Sequence, residues 1–294
     1  MDKRKGIVLA GGNGSRLYPI TSILSKQMLQ IYDKPMIYYP ISTLMLAGIR
    51  EILIISTPEH LPFFKNLIDN IGNIGVNFQY KVQDKPNGIA QSLILAEEFL
   101  DGAPCALILG DNLFYGNGFS HLLEVANKSI DGARIFSYVV KNPNQYGVLK
   151  FNKDKKVVSI VEKPKSFVSN LAVTGLYFYD KNASEFAKNL IPSDRGELEI
   201  TDLNLQYIKN NNLKVINLNR GYAWLDTGTP EGLLDSANFI ATIEKRQGIK
   251  ISCPEEIAWR KSWINDQDLK KLSNSHLESN YGKYLQSIIS NEIN

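Results

Sequence analysis

Leu9-Ala10-Gly11-Gly12-Asn13-Gly14-Ser15-Arg16-Leu17 places three glycines, a hydroxyl and an arginine directly after a short apolar run. Glycines let a backbone pass close to a bulky anion with its N–H groups turned toward it, and Arg16 adds a fork of donors. The chemistry such a segment suits is the binding of a phosphate chain. Two better known phosphate loops do not fit. A Walker A loop ends in Gly-Lys-Ser/Thr, whereas Gly14 is followed by Ser15 and Arg16. The dinucleotide fingerprint starts well at Gly12 and Gly14 but meets Leu17 where its third glycine would stand. An ordinary strand-to-helix turn would use the same glycines; Arg16 is the residue that favours phosphate.

Two carboxylates follow apolar runs later in the chain, Asp111 after Cys105 to Leu109 and Gly110, and Asp226 after Tyr222-Ala223-Trp224-Leu225. Each alone could be a turn or cap residue. If both reach one sheet edge, they suit a single Mg²⁺ that also takes phosphate oxygens. Lys26 and Lys163 are candidate cations, and Glu162, held ahead of Lys163-Pro164, suits sugar hydroxyls because a carboxylate accepts from vicinal diols. His60, His121 and His276 are scattered, and no Ser/His/Asp or Cys/His set for nucleophilic catalysis stands out.

These residues need elements to position them. Gly6–Ala10, Glu51–Thr57, Asn77–Gln83, Cys105–Asp111 and Ala133–Val140 read as short strands covered on both faces. Amphipathic stretches at Pro35–Ala47, Glu59–Ile68, Gly88–Leu100 and Phe119–Ser129 lie between them. Strand and helix in alternation predict an α/β chain with a Rossmann-like, doubly wound, mostly parallel sheet, and ligands outside the carboxyl ends of its strands. After about Lys141 come strands with little helix between them, Gly147–Phe151, Val157–Glu162 and Leu171–Tyr179, read as a β-rich insertion over the active edge. Helices at Asn182–Ile191 and Glu199–Asn211 are followed by a strand at Leu213–Leu218. A helix at Pro230–Gln247 is punctuated by Pro at its start and Gly248 after its end. The tail from Cys253 predicts short helices.

The chain has 294 residues, enough for one large domain or a core plus an appendage, and a net charge of +3 from interspersed signs, so no basic stripe points to nucleic acid or an anionic membrane. Two cysteines make no disulfide framework and read as small buried thiols. No signal peptide and no apolar run of membrane-spanning length is found, and a cytoplasmic enzyme is expected.

The chain resembles the sugar-phosphate nucleotidyltransferases, in their thymidylyl branch. The resemblance runs through Gly11–Leu17, Ser25-Lys26-Gln27, Tyr32–Pro40, Leu109-Gly110-Asp111-Asn112, Glu162-Lys163-Pro164, Val173–Tyr177, Arg195–Asp202 and Gly221–Gly228. The first and fourth of these segments, with Asp111, are shared by many such enzymes; the long middle segments and Cys253–Ala258 are specific to the branch. The resemblance implies transfer of a thymidylyl group from dTTP to glucose 1-phosphate, with Mg²⁺ as cofactor and release of pyrophosphate. It implies that Leu9, Gly11, Gly12, Gly14, Ser15, Arg16, Gln27, Gln83, Pro86 and Gly88 bind the nucleotide, Gln83 and Gly88 at the thymine. Asn112, Tyr146, Gly147, Glu162, Lys163, Val173 and Trp224 would form the sugar-phosphate site, Asp111 and Asp226 would hold the metal, and Arg16, Lys26 and Lys163 would neutralise charge. Residues 1–140 would be the nucleotide-binding core, 141–229 the sugar-binding part completing the sheet, and 230–294 a helical tail for contacts in a homotetramer. A regulatory nucleotide site would match Tyr115, Gly116, Arg220, Gly221, Cys253, Glu256 and Arg260. Ser15 in place of threonine, Met28 and Gln30 in place of leucine and proline, and Asn87 in place of aspartate depart from the pattern and bear on nucleotide preference. A uridylyltransferase would keep the glycine segment and Asp111 but use UTP; a noncatalytic sensor would tolerate loss of the cations and carboxylates, all of which are present.

Overall fold

The computed structural model describes residues 3–12 and 14–290, so Asn13 of the glycine segment and both chain ends lie outside the described residues. In chain order the first half comprises β1 (Lys5–Leu9), β2 (Gln30–Ile31), β3 (Lys34–Pro35), α1 (Tyr38–Leu46), β4 (Glu51–Ser56), α2 (Leu61–Ile71), β5 (Asn77–Val82), α3 (Gln91–Leu95), α4 (Glu97–Leu100), β6 (Cys105–Leu109), β7 (Asn112–Gly116), α5 (Phe119–Lys128) and β8 (Ala133–Val139). The second half adds β9 (Gly147–Phe151), β10 (Val157–Glu162), β11 (Leu171–Tyr179), α6 (Ala183–Lys188), α7 (Ile200–Lys209), β12 (Leu213–Leu218), β13 (Tyr222–Asp226), α8 (Pro230–Gln247), α9 (Pro254–Arg260), α10 (Asp266–Asn274) and α11 (Asn280–Ile289).

One nine-stranded sheet runs β10-β9-β11-β6-β1-β4-β5, with β8 and β12 branching from β11. Strands β6, β1, β4 and β5 are parallel; β6, β1 and β4 are near-continuous apolar runs buried on both faces, whereas β5, expected to be covered on both faces, is an edge strand that alternates polar and apolar residues and is only partly buried. Alternate residues sort to the two sides: Val8 and Ala10 join the core beneath α1, α2 and α5, while Ile7 and Leu9 join the core beneath α3, α6 and α7. Strand β11 runs antiparallel to β6 and joins β9 and β10 to the same sheet, so the β-rich segment extends the sheet instead of lying over its edge.

Several boundaries differ from the sequence reading for identifiable reasons. The helix expected from Gly88 begins at Gln91, because Gly88 takes φ +102° and is left-handed, and it is interrupted at Ala96. The helix expected from Pro35 begins at Tyr38, because Lys34–Pro35 pairs with Gln30–Ile31. The strand expected to reach Asp111 stops at Leu109, and β7 leaves the sheet to form a separate antiparallel ribbon with β13. Both cysteines are free and buried. Among the described residues no helix is long and apolar enough to cross a membrane.

A buried ionic cluster fastens the β2–β3 hairpin to α8. Lys34, 3% exposed, pairs with Asp33 at 2.6 Å and with Glu244 at 3.1 Å, and Lys250 pairs with Glu244 at 2.7 Å and also with Asp33. Burial pushes the Asp33 carboxyl up, but the charges and hydrogen bonds of Lys34 and Lys250 outweigh it and hold the group below the ordinary range. Burial pushes Lys250 down, but its bonds to Asp33 and Glu244 win and hold it above the ordinary range. The stabilisation from Asp33 is therefore present above the carboxylate's unfolded pKa and lost as pH falls through the lowered value. That from Lys250 is present below the amine's unfolded pKa and lost as pH rises through the raised value. Stability should be flat with respect to this cluster across neutral pH. Glu244→Ala, which leaves Lys34 with Asp33 alone, should cost about 2 kcal/mol or more, and Lys34→Met with Glu244→Leu should recover most of it. Urea denaturation measures both; an unchanged midpoint in Glu244→Ala would show that the cluster does not stabilise the fold.

Candidate active site

The carboxyl ends of the parallel strands are stitched together before any ligand is considered. Ala10 N–H donates to Ile55 O at 2.8 Å, the Ser56 hydroxyl to Ala10 O at 2.9 Å, Gln83 N–H to Ser56 O at 2.8 Å and Gly110 N–H to Leu9 O at 2.9 Å. The glycine segment, the residue after β5 and the residues after β6 therefore share one edge, as the strand order requires. After Gly14, Ser15–Leu17 form a single turn of 3₁₀ helix that leaves Ser15 and Arg16 exposed.

Beside this edge lies a cavity of about 640 Å³ lined by residues from both halves of the chain. Of the residues singled out in the sequence, it brings together Ser15, Arg16, Asp111, Asn112, Tyr146, Gly147, Glu162, Lys163, Val173, Trp224 and Asp226. None of the histidines lines it.

Asp111 and Asp226 meet through the ribbon, not as two strand ends of the main sheet. In the β7–β13 register Asp226 stands opposite Asn112, next to Asp111. Lys26 forms an ion pair with Asp111 Oδ2, and Asn112 Nδ2 donates to Asp111 Oδ1 at 3.0 Å. Burial pushes Asp111 up, but the Lys26 charge and these hydrogen bonds prevail and hold its carboxyl below the usual range. Asp226 moves the other way: burial raises it, the neighbouring Asp111 charge raises it further, and Lys26 and Arg16 only partly offset this. Arg16 lies close by, its guanidinium nitrogen 2.8 Å from where a Cβ on Gly228 would stand. Among the described residues no group of three or more His, Cys, Asp or Glu side chains gathers as a metal site, so Asp111 and Asp226 stand as a pair, apart from Glu162, Glu197 and Glu199 elsewhere on the cavity lining.

Asn112 is the hinge pin of the site. Only 4% exposed, it accepts at Oδ1 from Trp224 Nε1 at 2.6 Å and from Gly175 N–H at 3.0 Å while donating to Asp111. Gly175 sits where the pairing of β11 with β8 shifts register between Val173 and Tyr177, and its N–H turns to Asn112. Trp224 in turn packs on Tyr146 with ring centroids 5.1 Å apart. Thr227, fully buried, donates its hydroxyl to Asp111 O at 2.9 Å.

On the far wall Glu162 stands opposite Gly147 across β9–β10 and accepts from the Thr201 hydroxyl at 2.7 Å. Lys163 takes φ +40°, uncommon for a residue with a side chain, and its N–H donates to Tyr146 O at 3.0 Å. Its half-exposed ammonium stays 3.9 Å from Glu162, free to take an anion.

The nucleotide residues read from the sequence divide. Gln83 is buried beside Gly11, and Gly88 lies under the backbone of Leu198, which an added Cβ would strike. Gln27 is 2% exposed and bonded by the Ser25 hydroxyl, so it lies beneath the site, and Pro86 is exposed in the loop after β5. The residues matched to a regulatory site fall into two groups that no hydrogen bond or ion pair joins among the described residues. Tyr115 and Gly116 end β7, near the Arg220–Gly221 turn that opens β13; Tyr115 packs edge-on against Phe239, and its hydroxyl bonds Gln247 at 3.4 Å. Cys253 is sealed inside and accepts from the Tyr281 hydroxyl, and Glu256 is held by Arg260 and the Tyr284 hydroxyl. Sequence reasoning missed the roles of Thr227 and Thr201 and of Arg195 and Glu199, which join at 2.8 Å on the cavity rim. Arg195 lies in a turn ahead of α7 and Glu199 at its N-cap, so no helical spacing signalled their pairing.

Residues 5–243 match the nucleotidyl transferase family. The chain is 52% identical over 288 residues to a glucose-1-phosphate thymidylyltransferase of Xanthomonas campestris, covering 98% of each. It is 51% identical to one of Neisseria meningitidis, over 97% of this chain and 99% of the relative. A crystal structure from Bacillus anthracis, assigned as a glucose-1-phosphate thymidylyltransferase and holding sucrose, superposes with a TM-score of 0.71 at 39% identity, over 80% of this chain and 94% of that one.

The Asn112 hydrogen bonds can be tested apart from any ligand. Asn112→Leu strands the Trp224 indole N–H and the Gly175 N–H, and should cost roughly 2–4 kcal/mol of stability together with loss of most turnover. Asn112→Asp keeps both acceptors and should retain more of the stability. Denaturation midpoints that are the same in the parent and Asn112→Leu would remove Asn112 from its central place.

Proposed function

The chain belongs to the nucleotidyl transferase family, and from that premise we propose that it joins dTTP and α-D-glucose 1-phosphate into dTDP-glucose with release of pyrophosphate. The observation that carries this reading is a single cavity lined by the Arg16 turn, the Asp111–Asp226 pair and the Glu162–Lys163 strand end. The substrates come from what the relatives are named for; the cavity lining supplies groups for the phosphates and the sugar, while Gln83 and Gly88, assigned to the base, stand outside that lining.

The glycine segment and Arg16 would cradle the triphosphate, with Gln83 and Gly88 at the base. Glu162, Gly147 and Val173 would receive the sugar, walled by Tyr146 and Trp224, and Lys163 its phosphate. An oxygen of glucose 1-phosphate, anionic at neutral pH, attacks the α-phosphorus in line, and the bond to the pyrophosphate oxygen breaks. The nucleophile needs no proton removed, which suits a site without histidine. Catalysis is then positioning and charge neutralisation: Lys26 at the transferring phosphorus, Lys163 on the acceptor, and Arg16 toward the departing pyrophosphate.

The carboxylate pair fits Mg²⁺. Two hard-oxygen donors stand close enough that the Asp111 charge raises Asp226, and such a pair plus substrate phosphate oxygens is the donor set this ion favours. Held by Asp111 and Asp226, such an ion would supply Lewis-acid neutralisation of phosphate charge. The resemblance further supports a cytoplasmic homotetramer serving dTDP-rhamnose or related dTDP-sugar synthesis, with a second nucleotide site at Tyr115, Gly116, Arg220, Gly221, Cys253, Glu256 and Arg260.

Pure protein incubated with Mg²⁺, glucose 1-phosphate and each of five nucleoside triphosphates should release pyrophosphate fastest with dTTP; fastest release with UTP would make it a uridylyltransferase instead. Lys163→Ala should mainly raise the KM for glucose 1-phosphate, whereas Arg16→Ala should lower kcat by about a hundredfold, as loss of one strong electrostatic stabiliser does. If Lys163→Ala weakens dTTP alone, the acceptor assignment is wrong.

A further inference from the structure

We infer that Gln91 fixes which end of the Gln83 amide is offered to the base, and so makes the site select pyrimidines bearing an N3–H, thymine and uracil, over cytosine. This rests on the proposed use of a nucleotide with its base at Gln83.

Gln83 follows β5 directly and is 2% exposed, seated by its backbone bond to Ser56. A side-chain amide has a donor end and an acceptor end of nearly equal size, so its packing alone does not say which way it points. The hydrogen bonds around it do. The backbone N–H of Asn87 can only donate, and it donates to Gln91 at 3.1 Å, so the atom it meets is the carbonyl oxygen Oε1. That same oxygen lies 2.7 Å from the end of the Gln83 side chain, which must therefore be the NH₂ group.

The polarity is thus passed from a backbone group through Gln91 to Gln83, and the Gln83 oxygen is turned to the opposite side, over Gly11. It sits so close there that a Cβ on residue 11 would collide with it. Among the described residues no donor reaches this oxygen. An oxygen held in that orientation can only accept, so it favours a ligand that presents an N–H to it. Thymine and uracil present N3–H to such an oxygen, and the second Nε2 hydrogen remains for a neighbouring carbonyl of the base. Cytosine presents a lone pair at N3 and would meet the oxygen with another acceptor. Gln83 cannot turn over to suit it without losing its bond to Gln91 and setting oxygen against oxygen.

The test compares kcat/KM for dTTP, UTP and dCTP with glucose 1-phosphate in the parent, Gln91→Met and Gln91→Glu. Methionine keeps the length and removes the acceptor; glutamate keeps an acceptor-only end. The ratio of dTTP to dCTP should fall about 10- to 100-fold in Gln91→Met, mostly through KM, and stay near the parental value in Gln91→Glu. An undiminished ratio in Gln91→Met, or an equal fall in both variants, overturns the inference. A parent enzyme that prefers UTP to dTTP overturns the proposed substrate but leaves the selection against cytosine standing, so the two failures are told apart. Should Gln91→Met not fold, calorimetric binding of dTDP and dCDP to the parent and Gln91→Glu decides. Binding of dTDP at least tenfold tighter in both upholds the inference, and equal binding of the two nucleotides in either overturns it.

Discussion

Two carboxylates held side by side away from bulk water repel each other, and the arrangement of this cavity follows from having to keep them there. Asp111 is held ionised by the Lys26 ammonium and an amide hydrogen of Asn112. Asp226, with Arg16 at a greater remove, bears the repulsion and is pushed toward protonation. The pair is a local excess of negative charge facing a cavity, a poor arrangement for stability alone and a good one for gathering cations and the phosphates that accompany them.

Holding that pair in place is the work of elements far apart in sequence. The β7–β13 ribbon sets Asp226 opposite Asn112, and Asn112 ties the carboxylate, the Trp224 indole and the irregular middle of β11 into one unit. Beneath it the buried Lys34–Glu244 pair anchors the hairpin that follows Lys26 to α8. The cation, the carboxylates and the sugar wall are therefore positioned by hydrogen bonds and ion pairs that close before substrate arrives, which is the preorganisation an electrostatic catalyst requires.

The central strands β1, β4 and β6 were legible in the sequence because they are buried on both faces and read as plain apolar runs; Gly147–Phe151, Val157–Glu162, Leu171–Tyr179 and Leu213–Leu218 also agree with the structure to the residue. Helix starts were less legible where one residue overrules the pattern, as the left-handed Gly88 does. The ribbon escaped notice because Asn112–Gly116 follows β6 after only two residues and has no turn signature separating it from that strand. Site residues carried by local motifs, such as the Arg16 turn, could be named in advance. Those defined by a partner more than 20 residues away, Thr201 under Glu162 and Thr227 under Asp111, could not, because a hydroxyl's role appears only when its acceptor is known.

The seam between Asn87–Ala90 and Leu198 bears on how such an enzyme can be altered. Leu198 N–H donates to Asn87 O at 2.8 Å and Ala90 N–H to Leu198 O at 3.1 Å, so the loop on the proposed base side and the segment leading to Thr201 on the proposed sugar side are joined by paired main-chain bonds, with Ile89 and Leu198 packed in the same apolar cluster. The main-chain pairing itself demands the glycine at 88, where a Cβ would strike the backbone of Leu198. A chimaera that exchanges the proposed sugar wall for that of another member of the family would have to keep this glycine at the graft together with the Asn112 bonds to Gly175 and Trp224.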